Sequence, residues 1–249
     1  MQTVLITGCS SGFGLEIARF FLDHDWKVIA TMRTRRDDVL PRSEQLRVLA
    51  LDITSPESIR QAVDAAGPID ALVNNAGIGL LGIFEGTSVD TIREIFETNT
   101  FGTMMMTQAV LPQFRQRQGG VIVNVASSVI LKPLPMASVY TASKAAVTAF
   151  TESLAVELQQ FNIKLRVVIP GRSPETRFAE NAKPQRMLRG PEAYAKITER
   201  VFERMGQSPS SVTRALDVAE AVWRAVTDPS SPHRIAAGAD AVALAESRP

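Results

Sequence analysis

The 249-residue chain has little sulfur and little imidazole: one cysteine, Cys9, and two histidines, His24 and His233. A single thiol excludes an internal disulfide framework and suits a reducing compartment. Neither histidine has a partner at metal-ligand spacing, so no metal is expected and both read as surface residues. An excess of charge is missing as well. Twenty-seven basic against 26 acidic side chains leave a formal +1, without the basic face that nucleic acid or a membrane surface usually requires. No run of about 18 apolar residues is present to span a bilayer. Met1 leads directly into TVLIT with no basic start or small-residue cleavage site, so no signal peptide is expected and the default location is cytoplasmic. Repeats, low-complexity tracts and Pro/Ser linkers are also lacking. With 45% apolar residues, a chain of this length buries roughly 70–75% of its unfolded surface, and residues 1–249 are expected to form one domain.

What is present is alternation. Val- and Ile-rich runs at 2–7, 26–31, 46–51, 70–74, 120–126, 164–169 and 234–237 read as strands. Between them, 13–23, 56–66, 88–117, 139–160 and 215–227 read as helices. The strand runs are apolar on both faces, as in a parallel sheet covered by helices on both sides. The least regular stretch, 171–212, carries prolines at 174, 184, 191 and 209 and mixed charge. Such a connection is either a substrate loop or lid, or a surface excursion.

The first strand runs into TGCSSGFG, with glycines at 8, 12 and 14 in strand–turn–helix context. Glycine serves where φ is positive or a ligand approaches closely, and a helix N-terminus after such a turn attracts phosphate. At the end of the second strand an acid would favour NAD through the ribose hydroxyls. Here Thr31 and Met32 are followed by Arg33, whose guanidinium suits a 2′-phosphate. NADP(H) is therefore favoured over NAD(H). Arg35 and Arg36 read as a solvated turn answered by Asp37 and Asp38. Asp52 is open to two roles, holding an adenine amino group or capping the next helix. Cys9 reads as a small spacer in the loop, with no histidine nearby in sequence to activate it.

Three later islands carry chemistry. NNAG, Asn74 to Gly77, closes the fourth strand, where asparagine side chains can brace neighbouring strands. VNVASS ends the fifth with Ser127 and Ser128. YTASK places Tyr140 and Lys144 four apart, on one face of a helix. A phenol near pKa 10 is a poor acid or base at neutral pH, and an adjacent ammonium is expected to draw it down. Ser127 would hold a substrate oxygen while Tyr140 exchanges its proton, the equipment for hydride transfer between a carbonyl and an alcohol with a nicotinamide cofactor.

Together these ordered islands resemble the short-chain dehydrogenase/reductase family, single-domain type, nearly from end to end. Residues 26–36 and the tail RIAAGADAVALA are most similar to NADP-preferring members acting on steroids and retinoids. The resemblance implies a Rossmann-type, doubly wound parallel sheet of about seven strands. It implies a catalytic tetrad of Asn99, Ser127, Tyr140 and Lys144, with Ser127 preferred to Ser128 for lying thirteen residues before Tyr140. The family role of Asn99 is to keep a water in a proton relay through Lys144, which also holds the nicotinamide ribose. Carried onto this chain, the cofactor contacts are Gly8, Ser10, Ser11, Gly12, Phe13, Gly14, Arg33, Asp52, Ile53, Asn75, Ala76, Gly77, Tyr140, Lys144, Pro170, Gly171 and Thr176. Thr176 departs from the family's P-G-x-x-x-T by one position, Glu175 standing where the threonine would be.

The expected activity is NADP(H)-dependent interconversion of a carbonyl and a secondary alcohol on a hydrophobic small molecule. Leu80, Leu81, Leu131 to Met136 and Phe178 are candidate pocket walls, or else core. Met104 to Met106 read as core or subunit contact. A homodimer or homotetramer through 88–117 and 139–160 is expected. The competing reading is a catalytically silent NADP(H) sensor of the same fold.

Overall fold

The structure, a computed structural model, describes residues 1–174, 187–188, 190–206 and 211–247. Seven parallel strands form one sheet: β1 (Thr3–Ile6), β2 (Lys27–Met32), β3 (Leu46–Ala50), β4 (Ala71–Asn74), β6 (Gly120–Val125), β7 (Ile163–Pro170) and β9 (Arg234–Ala237). Their order is β3-β2-β1-β4-β6-β7-β9. The chain winds outward from β1 in one direction, then from β4 in the other, so the topological switch falls between β1 and β4. Register is continuous across that point, with Val4 beside Ala71 and Ile6 beside Val73. A crevice opens at the carboxyl ends of the strands where the winding reverses.

The unbroken apolar runs of the strands serve two cores. Val4 and Ile6 face one side, packed with Ile17 and Phe21 of α1 (Gly12–Asp23) and Val218 and Val222 of α7 (Ala215–Thr227). Leu5 faces the other side, with Ile59 of α2 (Pro56–Ala66), Met106 and Phe114 of α4 (Gly102–Arg117) and Leu158 of α5 (Ser138–Leu158). The central strands therefore carry hydrophobic residues on both faces.

A polar seam runs through this second face. Asn74 Nδ2 donates to Thr107 Oγ1 at 3.1 Å and to Asn124 Oδ1 at 2.8 Å, and Asn124 Nδ2 donates to Thr151 Oγ1 at 2.8 Å. Asn74 and Asn124 are register partners on β4 and β6. The expected bracing of strands by the NNAG asparagines is thus present, and it extends to α4 and α5.

Three sequence expectations change. The helix expected over 88–117 is two helices, α3 (Val89–Phe96) and α4, joined by a π-helical turn at Glu97–Phe101. The turn ETNTF carries no glycine or proline and is helical at both ends, so no breaker marks it in the sequence. The irregular stretch 171–212 holds regular structure. Met187–Leu188 (β8) pairs in parallel with Leu81–Gly82 (β5), and Ala195–Gly206 forms α6. The tail after β9 forms α8 (Ala239–Glu246). Among the described residues no helix is long and apolar enough to cross a membrane.

Candidate active site

The expected site residues gather along the carboxyl edge of the sheet, strand by strand. Gly8 to Gly14 lies at the end of β1. Gly8 and Gly12 have φ of 77° and 58°, a region only glycine enters freely. Gly14 is required for a different reason. A Cβ there would stand 2.3 Å from Gly8 O and 2.4 Å from Asn75 Nδ2. Thr7 Oγ1 accepts the N–H groups of Asn75 and Ala76, both at 3.0 Å, while Asn75 Nδ2 donates to Thr7 O at 2.9 Å. The β1 and β4 loops are therefore locked edge to edge.

Helix α1 begins in this turn. Its N-cap, Ser11, is extended and makes no side-chain cap hydrogen bond, and the first turn carries no acid. A helix start with no internal cap and no competing carboxylate fits a phosphate, and the missing side chains leave room for it. Ser10 is exposed, Ser11 half-buried and Phe13 packs partly into the core. Cys9 is inert: fully buried, its thiol donates to Ile6 O, and desolvation pushes its pKa up to about 12.

At the next strands outward, Arg33 is exposed just past β2, whose last residue, Met32, pairs with Ala50 of β3. Two residues beyond Ala50, Asp52 Oδ1 accepts from Thr54 N at 2.9 Å and Thr54 Oγ1 at 2.7 Å. Those bonds, with the charge of Arg33 adding, hold its carboxyl below the usual range. Helix α2 is capped by Ser55, which accepts from Ser58 N, so the capping role weighed for Asp52 is not the one it plays. Ile53 is buried against the start of α4, where a Cβ on Gly102 would meet its Cδ1 at 2.9 Å. Arg35 and Arg36 pair with Asp37 and Asp38, as the solvated-turn reading expected.

On the other side of the switch, Gly77, Asn99, Ser127, Tyr140 and Lys144 converge. A Cβ on Gly77 would lie 3.1 Å from Asn99 Oδ1 and 3.3 Å from Lys144 Nζ. Asn99 sits in the π-helical turn, and its side chain is fully used. Oδ1 accepts from Ile78 N at 2.8 Å, and Nδ2 donates to Ile78 O at 2.9 Å and Ser143 Oγ at 3.1 Å. Ser143 Oγ in turn donates to Tyr140 O at 2.7 Å. Asn99 thus ties the loop after β4 to the helix bearing Tyr140.

Tyr140 and Lys144 share one face of α5 and are both buried. Lys144 Nζ donates to Val125 O at 2.9 Å, and Ser127 hydrogen-bonds the Tyr140 phenol. The expectation that Lys144 draws the phenol down is corrected. Desolvation outweighs the Ser127 bond and pushes Tyr140 up to about 12, while burial brings Lys144 down to about 8. In a low-dielectric pocket each group is pressed toward its neutral form. Pro170 and Gly171 end β7 one strand further along; Thr176, Glu175 and Phe178 lie outside the described residues. Leu80 packs with Tyr140, and Leu81 and Met136 pack with Ile83 and Val201 of α6. His24 and His233 are exposed, and the described residues hold no group of three or more His, Cys, Asp or Glu able to bind a metal.

Thr7 and Ser143 are site residues the sequence reading did not single out. Ser143 had a signal, lying three residues after Tyr140 on the same helical face. Thr7 had none apart from preceding Gly8.

A doubly wound parallel sheet with an uncapped glycine turn at its switch point and a buried Tyr/Lys pair beyond it defines a nucleotide-dependent oxidoreductase. The family model for short chain dehydrogenase matches residues 2–186, and the chain belongs to the short-chain dehydrogenase/reductase family, oxidoreductases acting on CH–OH groups. It is 37% identical over 241 residues to retinol dehydrogenase 8 from Bos taurus, covering 86% of this chain and 76% of that protein. To 3-ketodihydrosphingosine reductase from Bacteroides thetaiotaomicron it is 34% identical, with 86% and 82% covered. A short-chain dehydrogenase from Streptomyces avermitilis superposes with TM-score 0.82 at 31% identity, covering 98% and 90%. Serine dehydrogenase complexed with NADP+ gives 0.80 at 28%, covering 95% and 94%. A 3-ketoacyl-(acyl-carrier-protein) reductase from Brucella melitensis complexed with NADH gives 0.78 at 26%, covering 94% and 96%.

The lowered lysine has a consequence for stability. Between about pH 8 and its unfolded value near 10.4, Lys144 is neutral in the folded chain but charged in the unfolded one. The unfolded state then binds more protons, so this group makes stability rise with pH in that window. Urea unfolding at pH 7.5 and pH 9.5 measures it: relative to Lys144→Met, the wild-type protein gains stability at the higher pH. An unchanged difference between the two proteins contradicts the buried ammonium.

Proposed function

We propose that the protein is an NADP(H)-dependent reductase/dehydrogenase interconverting a carbonyl and a secondary alcohol on a hydrophobic small molecule, with Tyr140 as general acid/base. The observation that carries this reading is the buried Ser127–Tyr140 hydrogen bond beside Lys144, opening on the same edge as the glycine turn. The nicotinamide cofactor, when bound, supplies or accepts the hydride. The chain's own part is to hold and move one proton. Ser127 positions the substrate oxygen, and Tyr140, protonated at neutral pH, gives its proton to that oxygen in reduction and takes it back in oxidation. Lys144 lies one helical turn on, where its charge stabilises the phenolate left behind. Gly77 lets the backbone after β4 come close to Asn99 and Lys144, both of which a Cβ there would crowd.

Arg33 supports NADP(H): it is an exposed cation at the end of β2, where an acid would favour NAD, and Asp52 lies near enough to feel its charge. Leu80, packed with Tyr140, and the neighbouring apolar cluster of Leu81 and Met136 support a hydrophobic substrate, in keeping with the retinol and 3-ketodihydrosphingosine named for the two relatives. The near-neutral charge and the lone buried thiol support a cytoplasmic location. For assembly, the half-exposed Phe101 and the side chains of Met104, Met105, Leu111, Phe150 and Leu154 line a groove between α4 and α5, a face suited to a second copy of the chain.

Four measurements test these statements. Tyr140→Phe is expected to lower NADPH oxidation with a carbonyl panel by about 10²–10⁴-fold; undiminished turnover removes Tyr140 from the chemistry. Tight NADP(H) binding by the wild type with no turnover of any carbonyl or alcohol establishes the sensor reading in its place. Arg33→Ala is expected to raise the KM for NADPH by about tenfold, the scale of one charge-assisted contact, and to leave that for NADH unchanged. Light scattering is expected to show a dimer or tetramer, converted to monomer by Phe101→Glu with Phe150→Glu.

A further inference from the structure

A partly buried carboxylate paired with a fully buried hydroxyl at the carboxyl end of the sheet plays no part in the chemistry above. Asp240, in the first turn of α8, leaves its own helix and reaches the loop after β7. Its Oδ2 accepts from Arg172 N at 2.6 Å, and its Oδ1 receives Thr213 Oγ1 at 2.6 Å. Thr213, fully buried, accepts from Gly171 N at 2.9 Å and lies 2.9 Å from Ala237 O. Thr213 N also donates to Arg172 O at 2.8 Å. The packing leaves no slack. A Cβ on Gly171 would lie 2.2 Å from the Asp240 carboxylate, and one on Gly238, whose φ is 91°, would lie 2.1 Å from Thr213 Oγ1.

One carboxylate therefore gathers three segments: the residues after β7, the residue before Arg214 and the turn into α8. Two of these are the two ends of the stretch 172–213. The position along the sheet gives the clamp its meaning. Strand β7 adjoins β6, where Ala126 N donates to Val168 O at 2.8 Å and Ser127 follows. At about 4.8 Å per strand, Gly171 lies one spacing from the Ser127 strand and about 19 Å from β2 and Arg33. The clamp is thus at the reactive end of a bound dinucleotide and remote from its adenine end.

We propose that Asp240, acting through Thr213 and the Arg172 N–H, is a positioning residue that sets the backbone after Gly171 against the nicotinamide half of the cofactor. This rests on the NADP(H) reading above, and the test separates the two. Calorimetric binding of NADPH and of 2′,5′-ADP, which carries only the adenine half, is measured for wild type, Asp240→Asn and Thr213→Val. An asparagine keeps the shape but replaces a charged acceptor by a neutral amide, which weakens the bonds to Arg172 N and Thr213 Oγ1. The expected result is a loss of about tenfold or more in NADPH affinity for both variants, with 2′,5′-ADP affinity unchanged. Thr213→Ser, which keeps the hydroxyl, is expected to bind NADPH as the wild type does. Should Asp240→Asn not fold, Thr213→Val carries the same comparison. Unchanged NADPH affinity, or an equal loss for both ligands, overturns the positioning role while leaving the cofactor reading intact. A wild-type protein that binds neither ligand overturns the cofactor reading, and this inference with it.

Discussion

Two N–H groups of the β4 loop, those of Asn75 and Ala76, end on a single hydroxyl, Thr7 Oγ1, and that contact governs the carboxyl edge of the sheet. It draws the loops after β1 and β4 so close that Gly14 has no room for a side chain. Because these strands are the ones at which the winding reverses, the same closeness fixes how the crevice opens. Helix α1 then starts with its first N–H groups facing that crevice. A side chain at Gly8 or Gly14 would have to push the two halves of the sheet apart, so the anion cradle and the joining of the halves are one construction.

The buried Tyr140/Lys144 pair depends on that construction at one remove. Asn99 holds both the N–H and the C=O of Ile78, just beyond the β4 loop, and reaches Ser143 on α5. The π-helical turn is what aims it inward, since an uninterrupted helix over 88–117 would rotate the residues after it by about a quarter-turn or more, at roughly 100° per residue. Ser143 and Lys144 are consecutive on α5, so the brace also holds the lysine that donates to Val125 O. Burial then acts on Tyr140 and Lys144 in opposite directions, raising one pKa and lowering the other. The phenol is stored in its acid form and the ammonium is brought near the point where it can give up a proton.

What was legible in the sequence was whatever has a short-range signature. The strands fell within a residue or two of their observed bounds because runs such as GVIVNV have few other uses, and α2 and α7 matched end to end. The glycine turn and the Tyr140/Lys144 face were legible because each is a local spacing. The π-helical turn was not, since ETNTF holds no glycine or proline and the helical backbone runs on at both of its ends. The state of Tyr140 was not either: spacing reports that an ammonium is near, whereas the pKa is decided by how much water the fold removes. The Asp240–Thr213 pairing joins residues 27 apart in sequence across two secondary elements, and no local pattern announces it.

The substrate side differs in kind from the cofactor side. The proposed cofactor contacts come from strand ends and one helix start, where backbone geometry leaves little choice. The walls near Tyr140 come from side chains on connections. Met136, held at φ 65°, gives its carbonyl to Gly82 N at 2.8 Å and packs with Ile83 and Val201. Tyr194, beside α6, donates to Glu85 at 2.7 Å. A bulky residue in the left-handed region is strained, and here it is held by contacts to both the β5 loop and α6. Substitutions in α6 would therefore be felt four residues before Tyr140 without altering the sheet edge, which lets such a fold vary these walls while its glycine turn and its Tyr140/Lys144 pair stay as they are.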